Sequence, residues 1–171
     1  MAGKDHWDIQ TGGLLHDIGK VVVPDRILLK PGPLTEEERM LMEKHVQAGY
    51  AILEGILGIE GVAQIVLQHH EEYAGGGYPR GLKGEEICIG ARIFAVADTY
   101  DAITSDRPYR KARSYAVARK EIRKYSGLQF DPKAVEAFLS IPAQEWAQAG
   151  RQSEKESVLP QSIVGGISIT L

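Results

Sequence analysis

One cysteine, Cys88, stands among 171 residues, so no internal disulfide framework holds this chain together. A lone thiol fits a reducing cytoplasm. Its place in the apolar run Ile87–Ile89 marks a buried, inert side chain rather than a nucleophile. Also missing is any stretch near the roughly 20 apolar residues of a membrane span, and the N-terminus carries no signal-peptide core. A basic excess is absent too. The net charge is −3 and the pI near 6.0, which argues against binding to a nucleic acid polymer. Little outside Lys20 to Val23 and the C-terminal tail alternates as a strand would, and no internal repeat is evident. What remains is ordinary globular composition, 43% apolar and 25% charged, in a chain long enough for one domain with a full core. The expectation is a cytoplasmic, all-α domain.

Helix signals carry most of the chain. Leu14 and Leu15 precede His16 and Asp17, which places that pair on a helix whose other face is buried. Pro31, Gly32 and Pro33 form a turn. Thr35 and Glu38 then make a capping box, opening a helix through Met42, His45, Val46 and Gly49 to about Leu53. Val62, Ile65, Val66 and His69 share one face of a helix ending at His69–His70. Glycines 75, 76, 77, 81 and 84 mark a loop around Tyr78 and Pro79. From Ile89 to about Ser105 the apolar sequence reads as a buried central helix. Ser114 caps another that ends with Gly127 in the C′ position, and Asp131–Pro132 opens a last one through Phe138. The resulting division is a domain over 1–150 and a flexible tail over 151–171.

Four of the five histidines lie where metal ligands are useful. His16 and Asp17 end one apolar run, His45 sits mid-helix, and His69 and His70 close the next helix; His6, on a polar stretch, reads as an ordinary surface residue. Asp98 interrupts the apolar central segment, where an isolated charge costs several kcal/mol to bury unless it is paired or bound to a cation. Taken singly, each has a plain reading: His69–His70 complements a helix C-terminus, and Asp98 pairs with Arg92 or Arg107. Taken together they outline a two-metal site in a helical bundle. Ions about 3.5–4 Å apart can share a hydroxide, hold phosphate oxygens and stabilise an in-line displacement. Nitrogen and oxygen donors without thiolate suit iron or manganese, with zinc or nickel also accommodated. Lys20, three positions after Asp17, is placed to meet a phosphate.

These segments resemble the HD-GYP domain family. The resemblance runs from about Leu14 to Phe138 through His16-Asp17-Ile18-Gly19-Lys20, His69-His70-Glu71, Gly77-Tyr78-Pro79, Ala97-Asp98, Asp101-Ala102 and Arg107-Pro108-Tyr109-Arg110. It implies an all-helical bundle with a bimetal centre and phosphodiesterase activity on cyclic di-GMP, releasing linear pGpG and in some members GMP. The ligands carried over are His16, Asp17, His45, His69, His70 and Asp98, with Asp17 bridging. Lys20 corresponds to the lysine at the scissile phosphate, and Tyr78, Arg107 and Arg110 to positions near the nucleotide. The physical reading agrees: two cations acidify a water, and Lys20 offsets growing phosphate charge.

Two departures bear on activity. The family has a further histidine, and sometimes a glutamate, on a helix upstream of the HD pair, whereas fifteen residues precede His16 and His6 does not match. The domain therefore reads as N-terminally short. The loop usually carries Asp-Gly before Gly-Tyr-Pro, where this chain has Ala74-Gly75-Gly76. Two alternatives follow. One is a catalytically weak sensory or interaction module binding nucleotide or a diguanylate cyclase partner, regulated by an upstream sensory domain. The other is an HD-type phosphohydrolase for another nucleotide.

Overall fold

The structure is a computed structural model that describes residues 3–106, 110–146 and 148. Its helices are α1 (Gly3–Leu15), α2 (Asp25–Leu28), α3 (Glu36–Leu53), α4 (Glu60–Gln68), α5 (Ile89–Thr104), α6 (Tyr115–Lys124) and α7 (Pro132–Ser140). Short 3-10 turns cover Ile18–Val22 and Gly84–Glu86. No strand occurs among the described residues, so the all-α expectation holds; an isolated backbone bridge joins Ser126 and Phe130. The chain divides into two compact units, Met1–Phe138 and Leu139–Leu171. The tail expected over 151–171 lies outside the described residues.

Local chemistry explains where α3 and α7 start. The Thr35 hydroxyl accepts from Glu38 N–H at 3.3 Å, while Glu38 Oε2 accepts from Thr35 N–H at 2.8 Å. Two of the donors stranded at a helix start are thereby satisfied. Asp131 accepts from Lys133 N–H at 2.8 Å at the entry to α7, and its other oxygen takes Arg92 Nη1–H at 2.6 Å. That pair ties α7 to α5, and it commits Arg92 to Asp131 rather than to Asp98.

Helix α4 is central to the first unit. It packs on α1, α3 and α5, with Val62, Ala63, Ile65, Val66 and Leu67 all buried. Val62, Ala63 and Val66 form a cluster with Leu53 of α3, covered by Leu15, Ile18, Tyr50 and Ile59. Helix α6 packs on α5, and Phe138 of α7 meets Tyr100 and Tyr115 from those two helices.

Several local expectations change. His16 and Asp17 follow α1 rather than lie within it, and Leu14 is 85% exposed. The face that α1 buries carries Asp8 and Gly12, with Gly12 against Ile65. Lys20–Val23 is not a strand, because the 3-10 turn Ile18–Val22 packs on α3 instead. There Gly19 is obligatory by close approach: a Cβ would stand 1.9 Å from the His45 carbonyl oxygen. Helix α6 ends at Lys124 with Tyr125 as its C-cap, earlier than expected. Gly127, at φ +79°, instead turns the chain so that its N–H reaches the Phe130 carbonyl at 2.8 Å. Ser114 stands at the start of α6 but makes no side-chain cap bond. Asp98 is only partly buried, so the desolvation argument for it weakens.

Candidate metal centre

Two helix ends and one mid-helix turn converge on the histidines. The end of α1 and the following turn supply His16 and Asp17, the middle of α3 supplies His45, and the C-terminus of α4 supplies His69 and His70. One atom from each of His45, His69 and His70 lies within 4.8 Å of the others. Asp17 adjoins this triple: its Oδ1 is 3.7 Å from His45 Nε2 and its Oδ2 is 3.3 Å from His16 Nε2. The His16 and His69 rings meet edge to face, with centroids 5.3 Å apart.

Tautomers follow from the backbone. His16, His45 and His69 each turn Nδ1–H onto the carbonyl three residues earlier, to Gly13 (2.7 Å), Met42 (2.7 Å) and Val66 (2.8 Å). A carbonyl only accepts, so each Nδ1 carries a proton, and at His45 and His69 the Nε2 of the neutral ring keeps its lone pair. His45 Nε2 and His69 Nε2 are buried with no hydrogen-bond partner. Burial and neighbouring histidines keep the cluster neutral, with His69 pushed down to about 3 and His70 to about 4. Burial lowers His45 as well. Burial also opposes charge on His16, but its bonds to Asp17 and Gly13 and the charges of Asp17 and Asp98 raise it on balance. For Asp17, burial is outweighed by hydrogen bonds from His16 and Lys20 and by their charges, which hold the carboxyl well below its usual range. Lys20 Nζ donates to Asp17 Oδ2 at 2.5 Å.

A cavity of about 350 Å³ opens on the His69–His70 side and reaches Tyr78, Asp98 and Arg39. The Tyr78 ring stacks on His70 with centroids 4.8 Å apart, and its N–H reaches the His70 carbonyl at 3.1 Å. Burial, then the charges of Glu43 and Asp17, push the Tyr78 hydroxyl up, so it remains a proton donor at neutral pH. Glu71, 4% exposed, holds the loop: its carboxylate accepts from Arg80 N–H (2.8 Å) and Leu82 N–H (2.9 Å). Gly77 fits where a Cβ would stand 2.3 Å from Glu72 N. Arg110 is exposed and bonds the Ala102 carbonyl, away from the histidines in sequence and partner; Arg107 lies outside the described residues.

An HD domain model matches residues 1–134, most of the chain. The chain belongs to the HD domain family. A cyclic di-GMP phosphodiesterase of Thermotoga maritima is 49% identical over 138 residues, 78% of this chain and 37% of the relative. The 3'3'-cGAMP-specific phosphodiesterase 2 of Vibrio cholerae is 40% identical over 133 residues, 77% of this chain and 26% of the relative. The chain thus spans well under half the length of these relatives. Among solved structures, a cyclic GMP-AMP-specific phosphodiesterase of Vibrio cholerae shares the fold at TM-score 0.59 and 21% identity, over 88% of this chain and 40% of that one. The HD-GYP resemblance agrees with these relatives, and the all-helical architecture is that of an HD domain.

The HD pair of this domain sits beside a donor set suited to a metal. Two buried Nε2 lone pairs without partners would each cost stability if nothing bound them, and an ionised aspartate lies within 4 Å of one. The residues present therefore fit a divalent cation, which the histidine triple can hold. Glu71 escaped the sequence reading as a working residue, although it stands in the His69-His70-Glu71 run. Arg39 and Glu43 escaped it too, because solvent-facing charges on a helix look alike until the loop folds over them.

Proposed function

We propose that this HD domain hydrolyses a phosphodiester bond of cyclic di-GMP, giving linear pGpG and, after a second cut, GMP. The observation that carries the reading is the pair of buried, partnerless Nε2 atoms, one on His45 within 4 Å of Asp17 and one on His69, a residue that lines the 350 Å³ cavity. His16, Asp17, His45, His69, His70 and Asp98 are the proposed ligands that would hold two divalent ions, iron or manganese. When bound, such ions polarise the phosphate and acidify water. The chain's own contributions are separate. Backbone carbonyls orient three imidazoles, which spares them reorganisation. Lys20 brings a fixed ammonium to the scissile phosphate, and Tyr78 offers a protonated hydroxyl beside His70. Arg107 and Arg110 are proposed to meet the nucleotide.

We assign the domain to residues 1–150, with 151–171 as a tail, and a cytoplasmic setting that suits the lone thiol. A diguanylate cyclase domain and a sensory domain are its proposed regulatory partners. The test is the purified chain supplied anaerobically with Fe²⁺ or Mn²⁺ and given cyclic di-GMP, with products separated by chromatography. Appearance of pGpG or GMP is expected. Because one relative is specific for 3'3'-cGAMP, that nucleotide is the second substrate to offer; faster turnover of it would shift the substrate assignment. Binding without turnover under either metal would favour the interaction module instead.

A further inference from the structure

We propose that Arg39 sets the preference of this site for a cyclic dinucleotide by binding the phosphate that is not cleaved. The inference rests on the phosphodiesterase reading above and adds a subsite to it. A cyclic dinucleotide brings two phosphodiester anions, and the histidine end of the cavity accounts for one. The remaining walls are acidic: Glu43, Glu72 and Asp98 line the cavity with buried Glu71. Among the described lining residues, Arg39 is the one cation. Lys20, bonded to Asp17, belongs to the scissile phosphate in the reading above and does not line this cavity. A second anion therefore needs Arg39 to offset the carboxylates it approaches.

Position and chemistry favour the role. Arg39, Met42 and His45 recur every three residues on α3, and Arg39 and Met42 both line the cavity that His69 and His70 enter. The guanidinium is held in place by two carboxylates. Glu36 takes Nε–H at 3.2 Å and Nη2–H at 2.5 Å, and Glu43 takes Nη1–H at 2.9 Å. Three of its five N–H donors are thus engaged, and one on each terminal nitrogen is left over, the pair of donors a phosphate accepts. The side chain is 57% exposed, so these ion pairs are weak enough to rearrange around a phosphate. Glu43 and Arg39 also act electrostatically on the Tyr78 hydroxyl, which joins the arginine to the ring that stacks on His70.

The test compares wild type, Arg39→Ala and Arg39→Lys, all loaded with Mn²⁺, on cyclic di-GMP and on bis(p-nitrophenyl) phosphate, which has a single phosphodiester. Calorimetric binding of cyclic di-GMP is measured alongside. For cyclic di-GMP, Arg39→Ala should raise KM and Kd about tenfold or more, with kcat within about twofold, and Arg39→Lys should fall between. The single phosphodiester should show no change in KM. An unchanged KM and Kd for cyclic di-GMP, or an equal rise for both substrates, overturns the role of Arg39 alone. A wild type that turns over only the single phosphodiester and does not bind the dinucleotide overturns the substrate reading, and Arg39 with it.

Discussion

Val46 and His45 are neighbours on α3 and almost equally hidden from solvent, as are Val66 and His69 on α4. The valines gain by burial and ask for nothing further. The histidines are buried with an Nε2 that no hydrogen bond reaches. One region of the bundle therefore contributes stability, while the region beside it costs stability that only a ligand restores. The same helices supply both: on α3 successive side chains point about 100° apart around the axis, and on α4 His69 stands at the C-terminal end of the face that carries Val66. A functional corner need not be a separate element; it can be one face of the element that builds the core.

The sharpest way to break this contrast is Asp17→Ala. Turnover and metal content should fall by about a hundredfold or more, with the melting temperature of the metal-free protein nearly unchanged. Metal analysis together with product chromatography checks it, and activity surviving the change would refute the proposed site. Next comes a pair of opposite substitutions. Val66→Ala should cost about 2 kcal/mol in urea denaturation and leave metal binding intact. His69→Leu should remove metal binding yet stabilise the metal-free protein by about 1 kcal/mol, since a buried atom without a partner is lost. Equal destabilisation by both would mean that the buried histidine and the buried valine contribute alike to stability.

Acid gives a third comparison. Folded His69 takes a proton only near pH 3 and His70 near pH 4, against 6.5 for an unperturbed imidazole. Below pH 6.5 the unfolded chain gains protons that the folded state refuses. The stability that these two imidazoles contribute to the metal-free protein is therefore fully present above pH 6.5 and is lost as the pH drops towards 3. Denaturation midpoints across that range measure it; a flat profile would mean that the imidazoles are not held neutral. The smallest effect belongs to Thr35→Ala at the start of α3. Loss of the capping box should cost about 1 kcal/mol in thermal unfolding, with metal affinity unaltered because His45 lies nearly three turns away.

Legibility in the sequence followed the range of the interactions. The capping box at Thr35 and Glu38, the entry to α7 at Asp131–Pro132 and the close of α4 at the double histidine all depend on residues within a few positions, and all stand in the structure. The exposed Leu14 and the 3-10 turn after Asp17 did not follow from local pattern. Their conformations are set by Ile65 beneath Gly12 and by the α3 backbone beneath Gly19, partners tens of residues distant. Gly127 shows the same limit on a smaller scale: its positive φ serves a turn towards Phe130 rather than the end of α6.

By itself, the sequence determined that the chain is helical and that His16, Asp17, His45, His69 and His70 are candidate ligands, since spacing within a turn of helix is a local property. Only the tertiary structure decided which lone pairs meet. It placed His45, His69 and His70 within 4.8 Å of one another, set Asp17 against His45 and Lys20, and folded the glycine loop so that Tyr78 covers His70 and Glu71 disappears from solvent. It also gathered Arg39 and the carboxylates around one cavity. The physical reason is that a metal or phosphate site is a matter of distances of a few ångströms between atoms far apart in the chain, and packing of the helices sets those distances.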